Sequence, residues 1–406
     1  MSLPVASTPV LRHPPFALLW LSRVLSIVAF QMQAVAVGWQ LYALTGSALD
    51  LGLLGLAQFV PMVLLTLLIG HVADRCDRRL VVGLCQAAEA CAAAALALGS
   101  LGGWLGGGSI FVIAAVTGAA RAFESPTMAA LVPGLVPGPL IPRATAWFAS
   151  ANQSAQILGP ALGGLLYILG PAAAYAAATA LFALAAGLAA AIRMPAATRR
   201  PEPATLASLF AGFAYVRRNR VLLGILSLDL FAVLFGGATA LLPVYARDIL
   251  HTGPWGLGLL RSAPALGALA MSLWLARRPL RHHVGPTLFG AVTVFGLATV
   301  VFGLSTNPAL SLAALFVLGA SDVISVVIRF ALVQMRTPDE MRGRVSAVNS
   351  MFIGTSNQLG EFESGLTAAL VGVVPAVLLG GIGTVAVALL WARLFPELRR
   401  LRSIEA

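Results

Sequence analysis

Long apolar runs, cut by short turns of glycine, proline and arginine, fill most of this chain. About twelve of them reach the roughly 20 residues that a helix needs to cross a bilayer. They span 16–43, 49–70, 80–101, 109–131, 143–168, 172–193, 220–246, 255–276, 285–304, 309–334, 345–369 and 373–395. Such runs are too long for barrel strands, and a segment in lipid must satisfy its own backbone hydrogen bonds. The pattern therefore predicts an all-α membrane protein with twelve transmembrane helices. The longest polar stretch, 194–219, is rich in proline and arginine and lies near the middle of the chain. It reads as a cytoplasmic linker between an N-terminal six-helix bundle, 1–193, and a C-terminal one, 220–406, that ends in a short cytoplasmic tail. Arg143-Ala144-Thr145-Ala146 opens the fifth run and Arg344-Val345-Ser346-Ala347 the eleventh. Arg75, Arg78 and Arg79 align with Arg277, Arg278 and Arg281 at nearly the same offset, as two six-helix pseudo-repeats would require.

Composition fits lipid as the solvent. With 59% hydrophobic and 10% charged residues, the chain has too little polar surface to coat a soluble globule of its 406 residues. All 26 basic residues are arginines, and they fall almost wholly in alternate loops. By the positive-inside rule this places both termini in the cytoplasm, and it accounts for the net charge of +11 without a nucleic-acid partner. Cys76, Cys85 and Cys91 form no C-x-x-C pair, so neither a disulfide framework nor a zinc site is expected. The histidines His71, His251, His282 and His283 lie at loops, and no metal is assigned to them. The glycines between 102 and 108 lack the Lys-Ser/Thr of a P-loop, so an ATP site is not expected either, nor any other cofactor. The absence of G-x-S-x-G and H-E-x-x-H argues against an intramembrane hydrolase.

Charges inside apolar runs each cost roughly 2.5–3.5 kcal/mol at a helix centre and should face a partner or a cavity. Arg121 and Glu124 are three apart in the fourth run, share a face and are expected to pair. Asp229 in the seventh run and Asp322 in the tenth read as isolated carboxylates. Asp322, Ser325 and Arg329 form one helical stripe. In the eleventh run Asn357, Glu361 and Ser364 share a stripe; Glu363 lies about 200° from Glu361 around the helix, so the two cannot enter one cavity. Arg23, Glu89 and Arg261 rank lower, because Arg23 can snorkel to the cytoplasm and Arg261 to the outside. For every charge here a static ion pair is the alternative to a transport role. Candidate cavity residues are Gln31, Gln33, Asn152, Gln156, Phe231, Phe235 and Asn357, amides and aromatics suited to an amphipathic solute.

The turn from Gly70 through Asp74, Arg75 and Arg78 resembles the loop 2/3 signature of the major facilitator superfamily, with Asp77 where that family usually has a second glycine. In that family the cluster latches the cytoplasmic side when the cavity faces outward, so Gly70, Asp74, Arg75 and Arg78 are the implied gate; the alternative is that the arginines only set topology. Gly159-Pro160-Ala161-Leu162-Gly163-Gly164 resembles the G-P-x-x-G-G element of proton-driven exporters of the superfamily, against a plain small-residue packing alternative. The helix 4 segment Ala120 to Pro126, Trp39 to Ser47, and Thr337 to Val345 resemble the enterobactin-exporter-like branch. The resemblance covers nearly the whole chain. It implies a secondary transporter of the bacterial cytoplasmic membrane, functional as a monomer, that exports a small amphipathic molecule such as a siderophore, drug or metabolite by proton antiport. An uptake symporter or facilitator, and a transporter-like sensor, are the alternatives.

Overall fold

The computed structural model describes residues 10–193, 206–280 and 282–403, and of 66–75 and 206–210 only the backbone. All regular structure among the described residues is helical. The helices are α1 (Pro14–Thr45), α2 (Ala48–Arg75), α3 (Arg78–Gly102), α4 (Gly107–Leu135), α5 (Ile141–Tyr167), α6 (Pro171–Ala190), α7 (Leu206–Arg218), α8 (Arg220–Phe235), α9 (Leu242–Val244), α10 (Gly253–Arg277), α11 (Val284–Leu304), α12 (Pro308–Met335), α13 (Asp339–Val371), α14 (Val373–Leu394) and α15 (Pro396–Arg399). Among the described residues nine segments are long and apolar enough to cross a membrane. The three remaining long helices, α4, α5 and α13, miss that threshold because they carry polar side chains such as Arg121, Asn152 and Glu361. Apolar side chains on the outside of the bundles, among them Leu84, Leu98, Leu379 and Leu389, are exposed, as a surface in contact with lipid requires.

Two compact units emerge. The first comprises residues 1–45, 57–203 and 254–258, the second 46–56, 204–253 and 259–406. In the first, Phe16 and Leu19 of α1 pack with Val82 of α3, Met128 and Leu131 of α4, and Ala144 of α5. Farther along, Ala29, Ala90, Ala93 and Ala178 let α1, α3 and α6 approach closely around Phe182. Small residues do this in lipid because association there depends on van der Waals contact, not on expelling water. In the second unit the core runs from Leu222 and Ile225 of α8 through Leu288 of α11 and Ile328 of α12 to Val345 of α13 and Val387 of α14.

One expectation changes. The seventh run is not one helix: α8 stops at Phe235, and a 3-10 turn (Ala238–Leu241), α9 and a π turn (Tyr245–Ile249) follow. At the break, a Cβ on Gly237 would overlap the carbonyl of Gly360, and Pro243 withholds an N–H from the ladder. The interrupted segment is still tied down, since the buried Tyr245 donates its hydroxyl hydrogen to the carbonyl of Gly303 at 2.9 Å. The stretch expected to be linker also contains structure. Its second part is α7, where Tyr215 donates to the carbonyl of Arg336 at 3.1 Å and Phe213 meets the ring of Phe352 at 6.4 Å.

Candidate transport site

Each unit buries charge between helices, among α1, α3 and α4 in the first and between α8 and α12 in the second. In the first unit the centre is Glu124 on α4, which is 0% exposed. Its Oε1 accepts from the hydroxyl of Ser26 on α1 at 2.6 Å and from the amide of Gln86 on α3 at 3.0 Å. Ser22 completes this net by hydrogen bonding to Gln86 and to the carbonyl of Ala185 on α6. Arg121, one helical turn before Glu124, places a guanidinium nitrogen 3.6 Å from Glu124 Oε2 and 3.5 Å from Oε1 of Glu89 on α3. Its guanidinium lies over the ring of Phe30, 3.9 Å from the centroid. Glu89 is likewise fully buried, and neither of its carboxylate oxygens has a hydrogen-bond partner among the described residues. Pro126 lacks the N–H that would bond the carbonyl of Ala122, which loosens α4 beside Glu124.

Arg23 does not snorkel. It is 9% exposed and donates to Asn152 Oδ1 of α5 at 3.3 Å, with a second nitrogen against the sulfur of Met128.

In the second unit Asp229 on α8 is not isolated: it forms a buried ion pair with Arg329 on α12. One hundred residues separate the partners, so no local spacing announces the pair. Asp322, one stripe with Ser325 and Arg329 as expected, has no hydrogen-bond or ion-pair partner among the described residues. With Asp229, Ser321 and Ser325 it lines a small cleft closed by Ala232, Val233, Ala291, Val292 and Phe295. Glu361 on α13 interacts electrostatically with Arg261 on α10.

The amides and aromatics do not gather in one place. Asn152 holds Arg23, whereas Gln156 and Asn357 are exposed and Gln33 is buried with its carbonyl oxygen unbonded. Gln31 packs beneath Gly159, whose added Cβ would lie 2.5 Å from the Gln31 Cβ. Phe231 meets Trp391 of α14 at a 50° tilt with centroids 5.1 Å apart, and Phe235 packs against Gly380 and Gly383.

Gly163 of the G-P-x-x-G-G element faces the backbone of α1: a Cβ there would lie 2.7 Å from the carbonyl oxygen of Met32. Gly159, Pro160, Gly163 and Gly164 are all buried. The side chains of Gly70, Asp74 and Arg75 lie outside the described residues, and their backbone continues α2. Arg78 donates to the carbonyl of Ala130 on α4 at 3.1 Å, next to the carbonyl that Pro133 leaves without a helical donor. Arg79 donates to the carbonyl of Ile192 at 2.9 Å. Asp77 caps α3 by accepting from the Arg79 N–H at 3.0 Å, and the Arg79 guanidinium beside it holds its carboxyl below the usual aspartate range.

Ser22, Ser26 and Gln86 were not among the sequence candidates, and Glu89 ranked low. A helical count would have found part of the set, since Gln86 and Glu89, like Ser22 and Ser26, lie one turn apart.

Twelve spanning helices in two halves, a lipid-facing exterior and ion pairs buried within the bundles define a membrane transporter of the major facilitator superfamily, not an enzyme. The chain belongs to the family described as transmembrane secretion effector, which matches residues 5–405. It is 30% identical over 413 residues to the enterobactin exporter EntS of Citrobacter koseri, a match that covers 96% of this chain and 94% of that protein. The EntS of Escherichia coli O1:K1 is 28% identical over the same shares. Among solved structures, a bacterial homologue of the human lysosomal transporter Spinster superposes with a TM-score of 0.75 at 12% identity, over 97% of this chain and 99% of that one. The peptide transporter POT does so with a TM-score of 0.74 at 13% identity, over 96% of this chain and 95% of that one. At such identities the structures speak to the fold alone.

Proposed function

We propose that this protein exports a small amphipathic molecule from the cytoplasm across the bacterial inner membrane in exchange for protons, as a monomer with both termini in the cytoplasm. Enterobactin, exported by the named relatives, is the first solute to test, with drugs and metabolites of similar amphipathic character beside it. The observation that carries coupling is the burial of Glu89 and Glu124 around Arg121, two carboxylates that share one guanidinium. Two carboxylates around one guanidinium leave one negative charge unbalanced, and a proton bound there gives the cycle its exchangeable proton. Asp229, Asp322 and Glu361 provide further carboxylates in the second unit. The cluster Gly70, Asp74, Arg75 and Arg78 is the proposed cytoplasmic gate, and Gly159, Pro160, Gly163 and Gly164 the seal that suits export.

The test uses inside-out vesicles acidified within. A transported solute should accumulate in them, draw protons out, and be lost when the gradient is collapsed. Accumulation only in right-side-out vesicles, driven by inward proton flow, identifies an uptake symporter. Equilibration without concentration identifies a facilitator, and binding without flux a sensor.

A further inference from the structure

The two buried carboxylates of the first unit are not equivalent. Glu124 accepts two hydrogen bonds through Oε1, from a hydroxyl at 2.6 Å and an amide at 3.0 Å, while its Oε2 faces the guanidinium at 3.6 Å without a hydrogen bond. Glu89 has the guanidinium alone, at 3.5 Å, with no hydrogen bond to either oxygen among the described residues and no exposure. Hydrogen bonds to the charged form favour it, and desolvation without them favours the neutral acid. Arg121 is equally unusual. An arginine committed to one carboxylate makes short contacts of about 2.7–2.9 Å. Here the nitrogen nearest both acids is almost equidistant from them and hydrogen-bonds neither, while Phe30 supports the guanidinium from below.

We propose that Glu89 holds the exchangeable proton of this transporter, and that Arg121 is a shared counter-ion that passes between Glu124 and Glu89 as that proton leaves and returns. The inference deepens the antiport reading and rests on it for its role in the cycle. When Glu89 is a neutral acid, Arg121 balances Glu124. When its O–H bond breaks and the proton passes to water, the new carboxylate competes for Arg121, and Ser26 and Gln86 still donate to Glu124 Oε1 as the guanidinium moves. The reverse step re-forms the O–H bond with a proton from the other side. Exchange needs no other reactant. The charged or titratable groups facing Glu89 are Arg121 and Glu124 from α4, Arg23 from α1, and Cys85 on α3 itself. On α6, Ala178 and Phe182 pack with Ala90 and Ala93 of α3, and the tyrosine of that helix, Tyr175, is engaged with Gln40 at 2.7 Å.

Infrared spectroscopy of the purified full-length protein, titrated from neutral to alkaline pH, reads a buried carboxylic acid through its carbonyl stretch. The band should be present in the parent protein, absent in Glu89→Gln, and retained in Asp322→Asn. In Glu124→Gln its midpoint should fall by a unit or more, because Arg121 then has Glu89 as its single carboxylate partner. A band that survives Glu89→Gln, or is missing from the parent, overturns the assignment. If Glu89→Gln does not survive purification, the Glu124→Gln midpoint decides: a lowered value upholds the shared counter-ion and an unchanged one overturns it. The vesicle assay separates the two levels. Parent vesicles in which no solute moves protons would end the antiport reading while leaving the infrared result to place the proton. Parent vesicles that couple, with Glu89→Gln still concentrating enterobactin against the gradient, would end this inference alone.

Discussion

At the scale of single residues, the turn between α2 and α3 shows how one side chain can perform two local tasks. Asp77 caps the first N–H groups of α3 and clamps Arg79, whose nearest nitrogen lies 2.5 Å away. Replacing a helix cap by alanine costs about 0.5–2 kcal/mol, whereas asparagine caps as well as aspartate. Asp77→Ala should therefore lower the thermal midpoint in detergent while Asp77→Asn keeps most of it. The exposed ion pair with Arg79 adds little, because solvent screens it. The sign of its pH dependence follows from a folded value held below the ordinary one of 3.8. The carboxylate contribution is fully present above the unfolded value and is lost as pH falls through the folded one, so the gap between parent and Asp77→Asn should narrow below about pH 4. A midpoint for Asp77→Ala equal to the parent at neutral pH would show that the cap is dispensable.

Elements meet through two kinds of contact, buried ions and missing side chains. Neutralising one member of the Asp229–Arg329 pair leaves its partner charged in a dry site, a loss of about 3–5 kcal/mol. Asp229→Asn should therefore unfold well before the parent, and the double variant Asp229→Leu with Arg329→Met should recover most of the difference. If the double variant is no more stable than the single one, the pair is not what joins α8 to α12. Glycines divide just as sharply by what surrounds them. Gly163 has no room for a methyl against α1, whereas nothing lies within 4 Å of a Cβ on Gly187 in α6. Gly163→Ala should reduce folded yield and transport. Gly187→Ala should raise stability by up to about 1 kcal/mol, since alanine is the better helix former. Comparable thermal midpoints for the two variants would refute the close α1–α5 contact.

For the whole molecule, the orientation proposed from the arginine bias can be read with a thiol reagent. Cys76 is exposed in the turn between α2 and α3. A membrane-impermeant maleimide should label it in inside-out vesicles and leave it unlabelled in spheroplasts, with a Cys76→Ser variant separating it from Cys85 and Cys91. Labelling in spheroplasts would invert the proposed topology and with it the direction of export.

The all-helical membrane fold was legible in the sequence because lipid permits few solutions, each crossing needing a long apolar run, and the family was legible in motifs such as the G-P-x-x-G-G element. Even within that frame, Gly236, Gly237 and Pro243 broke a run that hydropathy read as continuous, since hydropathy counts apolar side chains and is blind to a missing N–H. The candidate site was legible only in part. Arg121 and Glu124 lie one turn apart on a single helix, so their spacing alone paired them. Glu89, Ser26 and Gln86 come from two other helices, and Arg329 is a hundred residues from Asp229. Which of these side chains share a space depends on how the helices pack, and packing is decided by contacts between distant parts of the chain that no local pattern records.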